Sequence, residues 1–323
     1  MMIEDGEDII GESQVMEDLR RLIKETAASP ARILITGESG TGKELIAHTI
    51  HRFSPRAGFP FVVINCAAIP DTLIESELFG YRKGAFTDAV SDHRGKFEAA
   101  NHGTLFLDEV GDLSKSAQAK LLRAIQEKKI EPLGCEEGIS VDVRILASTN
   151  KNLAAACAAG RFREDLFYRL NVIPMGIPPL RERRGDIPPL FRHFLSVLKA
   201  DVDLAPDGEA FLSSYKWPGN IRELRNLAER CLVQVPPGGK LGEKVLRTLL
   251  LEKAVPGIPE EKKRILDLRN ALEKGYNEAK ELFEQQYLRY QMEKHGGSVS
   301  KTASAAGLTP VSLRAKLEKY QIQ

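Results

Sequence analysis

The sequence predicts an α/β fold, a parallel sheet covered by helices, followed by an all-α region. Three observations lead there. Short apolar runs at 33–36, 61–64, 104–107, 143–148 and 172–175 alternate with helical patterns at about 13–27, 43–53, 71–79, 115–128 and 161–170, as strands joined by helical crossovers do. A glycine-rich loop links the first run to a helix. After residue 176 the strand pattern stops at Ile177-Pro178-Pro179-Leu180-Arg181-Glu182-Arg183-Arg184-Gly185-Asp186-Ile187-Pro188-Pro189, and the spacing is helical to about residue 252.

Ahead of the first helix, Ile9-Ile10-Gly11-Glu12-Ser13 ends on a candidate N-cap, Ser13. Such a flank serves either as a capping turn or as a reach toward a nucleotide base, through Ile10 and Gly11. The run 33–36 then opens Gly37-Glu38-Ser39-Gly40-Thr41-Gly42-Lys43-Glu44. Strand, glycine-rich loop and helix together cradle nucleotide phosphates. The glycines let backbone N–H groups converge on an anion, the helix adds the positive end of its dipole, and Lys43 adds a point charge. Position 44 is Glu where the general pattern has a hydroxyl for Mg²⁺, so carboxylates elsewhere must carry the metal.

Gly103-Thr104-Leu105-Phe106-Leu107-Asp108-Glu109 supplies them. A buried strand ending in two acids sets both at its carboxyl end, where ligands bind in open α/β sheets. Asp108 suits Mg²⁺, directly or through water, with Glu109 beside it in the metal site. Glu109 suits polarisation of the water that attacks a γ-phosphate.

The 323 residues are 42% hydrophobic and 28% charged, enough for two or three cored domains. A net charge of +1, from 46 basic and 45 acidic side chains, excludes a polycation, so any nucleic-acid site must be local. The four cysteines, Cys66, Cys135, Cys157 and Cys231, form no C-x-x-C pair and read as reduced thiols, mostly buried, of a cytoplasmic protein. No apolar stretch is long enough to span a membrane, and the acidic start lacks a signal-peptide pattern. His48 and His51 lie three apart on a helix without a third ligand and read as packing or surface residues; Ser39 lacks the final glycine of a hydrolase nucleophile elbow.

The organisation expected is an α/β nucleotide-binding subdomain at 1–176, a helical subdomain at 177–254, a linker at 255–278 marked by Val255-Pro256-Gly257-Ile258-Pro259, and a C-terminal domain at 279–323. A charged helix is expected from 260 to 277 and three short helices after it. Within the last domain, a small-residue helix, a glycine turn and a basic helix form a helix-turn-helix pattern. Thr309 suits the cap of the second helix and Pro310 its first position; Leu313, Leu317 and Tyr320 share the core face. Lys301, Arg314, Lys316 and Lys319 stand against Glu318 alone, a local footprint for DNA, with Thr309 and Ser312 toward bases or backbone and Arg314 and Lys316 toward phosphates.

These motifs, with Asn65-Cys66-Ala67-Ala68, Glu77-Leu78-Phe79-Gly80, Gly84-Ala85-Phe86-Thr87, Ser148-Thr149-Asn150, Gly160-Arg161-Phe162-Arg163-Glu164-Asp165-Leu166 and Trp217-Pro218-Gly219-Asn220-Ile221-Arg222-Glu223-Leu224, run nearly end to end. In this order they resemble the bacterial enhancer-binding proteins, NtrC-like activators of sigma-54 RNA polymerase, which are AAA+ ATPases. The resemblance makes Glu44 usual and implies an AAA+ sheet with a helical lid and a Fis-type DNA-binding domain. It casts Asn65 as the switch residue holding Glu109, although the residues alone read as a strand-end turn. It casts Asn150 as the γ-phosphate sensor, Arg222 as the second sensor from the lid, and Arg163 and Arg169 as arginine fingers given in trans to a neighbouring subunit, with Arg161 a third candidate. It implies ATP and Mg²⁺, a hexameric ring, dimeric DNA-binding domains on paired enhancer half-sites, and no membrane. Relatives of this kind commonly carry an N-terminal regulatory domain, often the phospho-receiver of a two-component system; none is read before Ile9.

The loop 84–89, through Phe86 and Thr87, is the contact for sigma-54 in the resemblance, raised and lowered by two helical arms. Asp88 stands where the family has glycine, adding charge and removing backbone freedom. Two functions therefore stay open: an ATP-driven activator that binds enhancer DNA and remodels sigma-54 holoenzyme, or an AAA+ DNA-binding regulator or repressor that Asp88 has uncoupled from it.

Overall fold

A computed structural model describes residues 9–86, 89–135, 137–251, 275–320 and 322. Thr87 and Asp88, and the stretch 255–274 with most of the expected linker and charged helix, lie outside the described residues. The chain divides into two units, 1–251 and 252–323.

In chain order the first unit runs α1 (Gln14–Ala27), β1 (Ile33–Thr36), α2 (Lys43–Arg52), β2 (Phe61–Asn65), α3 (Asp71–Phe79), α4 (Lys96–Ala99), β3 (Thr104–Asp108), α5 (Lys115–Glu127), β4 (Lys129–Ile130), β5 (Ile139–Ser140), β6 (Arg144–Thr149), α6 (Leu153–Ala158), α7 (Glu164–Leu170), β7 (Ile173–Gly176), α8 (Ile187–Val197), β8 (Val202–Leu204), α9 (Pro206–Ser214), α10 (Asn220–Gln234), β9 (Gly239–Leu241) and α11 (Glu243–Leu251). The main sheet is parallel, in the order β2-β3-β6-β1-β7. Its apolar runs do not alternate with polar residues because both faces are covered. Ile33, Ile35, Phe106 and Leu146 pack with Ile46, Ala47 and Ile50 of α2 and with α1 on one face. Leu34, Leu105, Leu107, Ile145 and Ala147 pack with α3, α5, α6 and α7 on the other. Each such aliphatic side chain contributes about 1.5–3 kcal/mol. The same register sets the loop after β1, Asn65, Asp108 and Asn150 at the carboxyl ends of adjacent strands.

Helix 161–170 is shorter than expected. Asn152 caps the separate helix α6 through Ala155 N–H, and α7 begins only at Glu164. The region after 177 has its own core around the fully buried Trp217, but it is not helical throughout. β8 and β9 form a parallel pair, with Leu241 in the helical core and Val202 and Leu204 packed against it. Runs of three residues are too short to announce a period.

The arms of the 84–89 loop also differ from expectation. α3 forms one arm, but α4 is a single turn, and between them Tyr81 bridges His93 and Leu133 as extended chain. Gly80 explains the break: its φ is +81°, and a Cβ there would meet His93 O at 2.5 Å. The hairpin β4–β5, unseen in the sequence, supplies Leu133 and Gly134 beside this loop.

The second unit holds α12 (Tyr276–Lys294), α13 (Val299–Ala305) and α14 (Pro310–Lys319). The first is 19 residues long rather than short. Leu288, Met292, Ala303, Leu313 and Leu317 form its core.

Candidate nucleotide site and helix-turn-helix

The loop Gly37–Glu44 wraps the start of α2. Gly42, with φ +99°, precedes the helix and offers no side-chain cap, so the first amides of α2 stay open to an anion. Thr41 turns inward and its hydroxyl donates to Glu38 O at 2.8 Å. The Lys43 ammonium curls back over the loop, donating to Gly37 O at 3.1 Å. It also pairs with Glu109 Oε1 at 3.1 Å. The two sequence motifs thus meet. Glu44 is exposed.

Asp108 ends β3 and Glu109 follows it with a left-handed φ of +53°. That turn carries the Glu109 side chain over the loop, where Oε2 accepts the Asn150 main-chain N–H at 2.9 Å. Asp108 accepts the Ser148 hydroxyl on Oδ1 and the Asn65 amide on Oδ2, the latter at 3.0 Å. The expected Asn65–Glu109 contact is therefore absent among the described contacts, and Asn65 holds Asp108 instead. Residues 65 and 108 are partners in the β2–β3 register, so their side chains stand side by side, while Glu109 has already turned away. Asn65 also makes the strand-end turn, its Oδ1 accepting Ala67 and Ala68 N–H. Beside it the Cys66 thiol is pushed up to about 12 by burial and by Asp108, which makes it inert at neutral pH. Cys231 is buried as well, while Cys135 and Cys157 are only partly so.

The flank at 9–13 fixes on the helical subdomain. Ile10 packs on that core. Glu12 and Ser13 N–H donate to Asp186 Oδ1 at 2.7 and 2.8 Å, and Ser13 Oγ donates to Asp186 Oδ2 at 2.6 Å. The Ser13 hydroxyl thus satisfies a fully buried carboxylate rather than capping α1. Gly11 has room for hydrogen alone, since a Cβ would lie 2.9 Å from Asp186.

Arg222 does reach the loop, donating to Ser39 Oγ at 3.0 Å. Around it stand residues that motif reading did not single out. Arg181 donates to both oxygens of Glu38, at 2.8 and 2.6 Å, and Asn220 adds a bond at 3.2 Å. Hydrogen bonds from Arg181 first, then Asn220, hold the Glu38 carboxyl down to about 2. Glu38 was expected among the nucleotide-binding residues; its side chain is already taken up by the lid. The buried Arg183 reaches Thr41 O at 3.4 Å. The cluster 181–186 was visible only as a break in the pattern, and its charges do not announce partners 140 residues away.

Arg163 and Arg169 are exposed on or beside α7. Among the described contacts neither meets the phosphate loop, and Arg163 is forked onto Asp165 at 3.0 and 2.7 Å. Phe86 is 42% exposed with its ring edge-on to Tyr81 at 4.9 Å, so it keeps an accessible face.

No group of three or more metal-type side chains gathers among the described residues. Magnesium does not need one: it takes one or two carboxylates and fills the rest from phosphate and water. Asp108, a hard oxygen donor held by two hydrogen bonds beside the loop, fits that demand.

In the second unit Thr309 caps α14 through Ser312 N–H at 3.2 Å, with Pro310 in the first turn. Arg314 is exposed. Lys316, expected to face phosphates, is instead ion-paired with Glu284 on α12, and Lys319 pairs with Glu281 at 2.6 Å. The acids that neutralise them lie on α12, outside the segment from residue 298 onward, whose sequence shows the basic excess. Val311, 79% exposed on the first turn, was not singled out.

The chain matches a model of the sigma-54 interaction domain over residues 9–176, of the AAA+ ATPase lid domain over 181–262, and of the bacterial regulatory protein Fis family over 280–320. It is 48% identical over 257 residues to the DNA-binding transcriptional regulator NtrC of Klebsiella pneumoniae, covering 78% of this chain and 55% of that one. It is 42% identical over 316 residues to the transcriptional regulatory protein ZraR of Klebsiella oxytoca, covering 96% and 68%. It therefore spans about half to two thirds of the length of these relatives. The crystal structure of NtrX from Brucella abortus in complex with ATP superposes with a TM-score of 0.72 at 36% identity, covering 97% of this chain and 69% of that one. The fold extends to the Holliday junction branch migration motor RuvB of Thermotoga maritima, with a TM-score of 0.50 at 14% identity. By these matches the chain belongs to the sigma-54 activator family of AAA+ ATPases, with an AAA+ lid and a Fis-family helix-turn-helix.

Proposed function

We propose that the protein hydrolyses ATP in a ring of subunits and uses the energy to remodel sigma-54 RNA polymerase holoenzyme from enhancer DNA in the cytoplasm. The observation that carries this reading is that Glu109, next to Asp108, pairs with Lys43 of the glycine loop that Arg222 also reaches. Lys43 and Glu109 neutralise each other. An incoming γ-phosphate competes for the ammonium and frees the Glu109 carboxylate to take the proton of the attacking water. Asn150 keeps that carboxylate aimed through its N–H. Mg²⁺, held by Asp108 with Glu109 alongside, would supply charge neutralisation on the β- and γ-phosphates. Arg222 from the lid, and Arg163 and Arg169 from the neighbouring subunit, would stabilise charge on the transferred group. Arg163 must first leave Asp165, so the fork onto Asp165 is the resting state of a finger. Heterologous contacts of this kind close into a ring, and six subunits is our reading.

Asn65 couples this site to the 84–89 loop: it binds Asp108, starts the turn into α3, and α3 leads to Tyr81 and Phe86. Phe86 and Thr87 would touch sigma-54. In the helix-turn-helix, Thr309 and Ser312 set the first turn of α14 at the DNA, and Arg314 meets phosphate, on half-sites paired by a dimer. The domain limits proposed are 1–176, 177–254, 255–278 and 279–323.

Phosphate release tests the chemistry. Glu109→Gln and Arg163→Ala should each lower ATP turnover about 10³-fold; turnover near wild type in either contradicts its role. Asp88 favours the second reading, a regulator uncoupled from sigma-54. Open-complex formation at a sigma-54 promoter separates the two, and a large gain of activation with Asp88→Gly would favour the uncoupled regulator.

A further inference from the structure

A carboxylate inside a loop shaped for a triphosphate works against the loop's purpose. Glu38 is such a group, in the same loop as Lys43 and the open amides of α2. Its charge is met from the lid, where both NH groups of Arg181 fork onto its two oxygens. Asn220 adds the third bond and is itself fully buried. The Asn220 oxygen accepts the N–H of Leu180, the residue before Arg181, so the two partners of Glu38 are tied together. Asn220 also donates to Ser39 O at 3.1 Å, and Ile221 N–H donates to Gly40 O at 2.9 Å. Arg222 follows directly and reaches Ser39 Oγ. Three consecutive residues of the phosphate loop, 38–40, are thus bonded to four residues of the lid.

We infer that Glu38 and Arg181 form a charge-neutral latch that docks the lid on the phosphate loop and positions Arg222, with Arg181 cancelling the loop's own negative charge rather than binding phosphate. This rests on the nucleotide reading above and names two positioning residues that act through Asn220 and Arg222. The latch is suited to the task because a forked guanidinium–carboxylate pair fixes orientation as well as distance. A lysine at 181 would cancel the charge without the fork.

The sign of each variant follows from the charges. Arg181→Ala leaves Glu38 uncompensated beside the phosphates and should weaken nucleotide binding. Glu38→Gln leaves Arg181 as a free cation there and should tighten it. Dissociation constants for mant-ADP and mant-ATP, measured without magnesium by fluorescence titration of the 323-residue chain, read both. Arg181→Ala should weaken mant-ADP about tenfold and mant-ATP by more, since a Coulomb penalty grows with phosphate charge. Glu38→Gln/Arg181→Ala should return both to within about threefold of wild type. Loosened packing would instead weaken the two nucleotides alike and would not be rescued by a second substitution. An unchanged affinity in Arg181→Ala overturns the inference. So does a double variant that recovers less than half of the loss on a logarithmic scale, which would make Arg181 a phosphate ligand. Arg181→Gln gives the same readings should the alanine variant not fold. A wild-type chain that bound neither nucleotide would remove the ATPase reading itself, a different outcome from a chain that binds both without charge coupling.

Discussion

The glycine-rich loop leads into α2 and the glycine turn at 307 leads into α14, yet the two helix starts are held in opposite ways. At the loop the partners are remote in sequence: Glu38 and Arg181 are 143 residues apart, and in the flank before α1 Ser13 and Asp186 are 173 apart. At α14 the decisive bond is local, Thr309 to Ser312, three residues apart. The loop's Gly40 is encased, with Gly219 O only 2.4 Å from where a Cβ would stand, whereas Gly307 before α14 has nothing within 4 Å. A site clamped by distant contacts can change with the position of another subdomain. A site built from a local cap is set once its own helix forms.

The largest effect expected follows from the two glycines. Both have left-handed backbones, φ +79° at Gly40 and +65° at Gly307. Gly307→Ala should cost only the strain, about 1 kcal/mol. Gly40→Ala adds a clash with lid backbone and should cost about 2–3 kcal/mol, while separating the lid from the loop. Trp217, the only tryptophan of the chain and fully buried two residues from Gly219, reports this directly. Its fluorescence midpoint in urea should fall for Gly40→Ala and stay unchanged for Gly307→Ala. Equal midpoints would mean that the lid does not rest on the loop.

The same contrast explains what was legible in the sequence. The loop, the Asp108-Glu109 strand end and the Thr309 cap are short-range chemistry, written in consecutive residues, and each was readable. Faces of the sheet were readable because an apolar run with no polar alternation implies cover on both sides. The Asn65 partner was not, since it depends on which residue of β3 lies opposite, a matter of register. Arg181, Asp186 and Asn220 were not, since a charged residue does not carry the address of its partner. β8 and β9 were hidden by their length, and the Glu284 partner of Lys316 by its distance of 32 residues along the chain.

A smaller effect separates charges that serve DNA from charges that serve the fold. The footprint read from the sequence sets Arg314 and Lys316 alike toward phosphates, but Lys316 is neutralised by Glu284, whereas Arg314 is exposed and makes no ion pair among the described contacts. Arg314→Ala should reduce DNA affinity about tenfold and lower the slope of log affinity against log salt by about one. Lys316→Ala should change the slope by clearly less than one, because no phosphate contact is lost. Equal slopes for the two variants would show that the Glu284 pair opens on DNA.

The smallest effect lies in the interior of the first unit. His51 is buried, its ring tilted against Phe61 at 5.1 Å and hydrogen-bonded through Nδ1 to the fully buried Thr104 at 2.9 Å. Burial first, then the neighbouring His48, pushes its pKa below the ordinary histidine value. A histidine held neutral by the fold costs nothing above about pH 6.5. Below that the unfolded chain takes up a proton that the folded one resists, so stability is lost as pH falls. The Trp217 urea midpoint of the wild type should therefore drop between about pH 7 and pH 5. His51→Gln, which keeps a polar partner for Thr104 but does not titrate, should flatten that part of the profile. Glu38 cannot produce it: its carboxyl, held at about 2, stays ionised across this interval and its contribution is lost only as pH falls further. A slope that survived in His51→Gln would assign the acid sensitivity to a group elsewhere in the first unit.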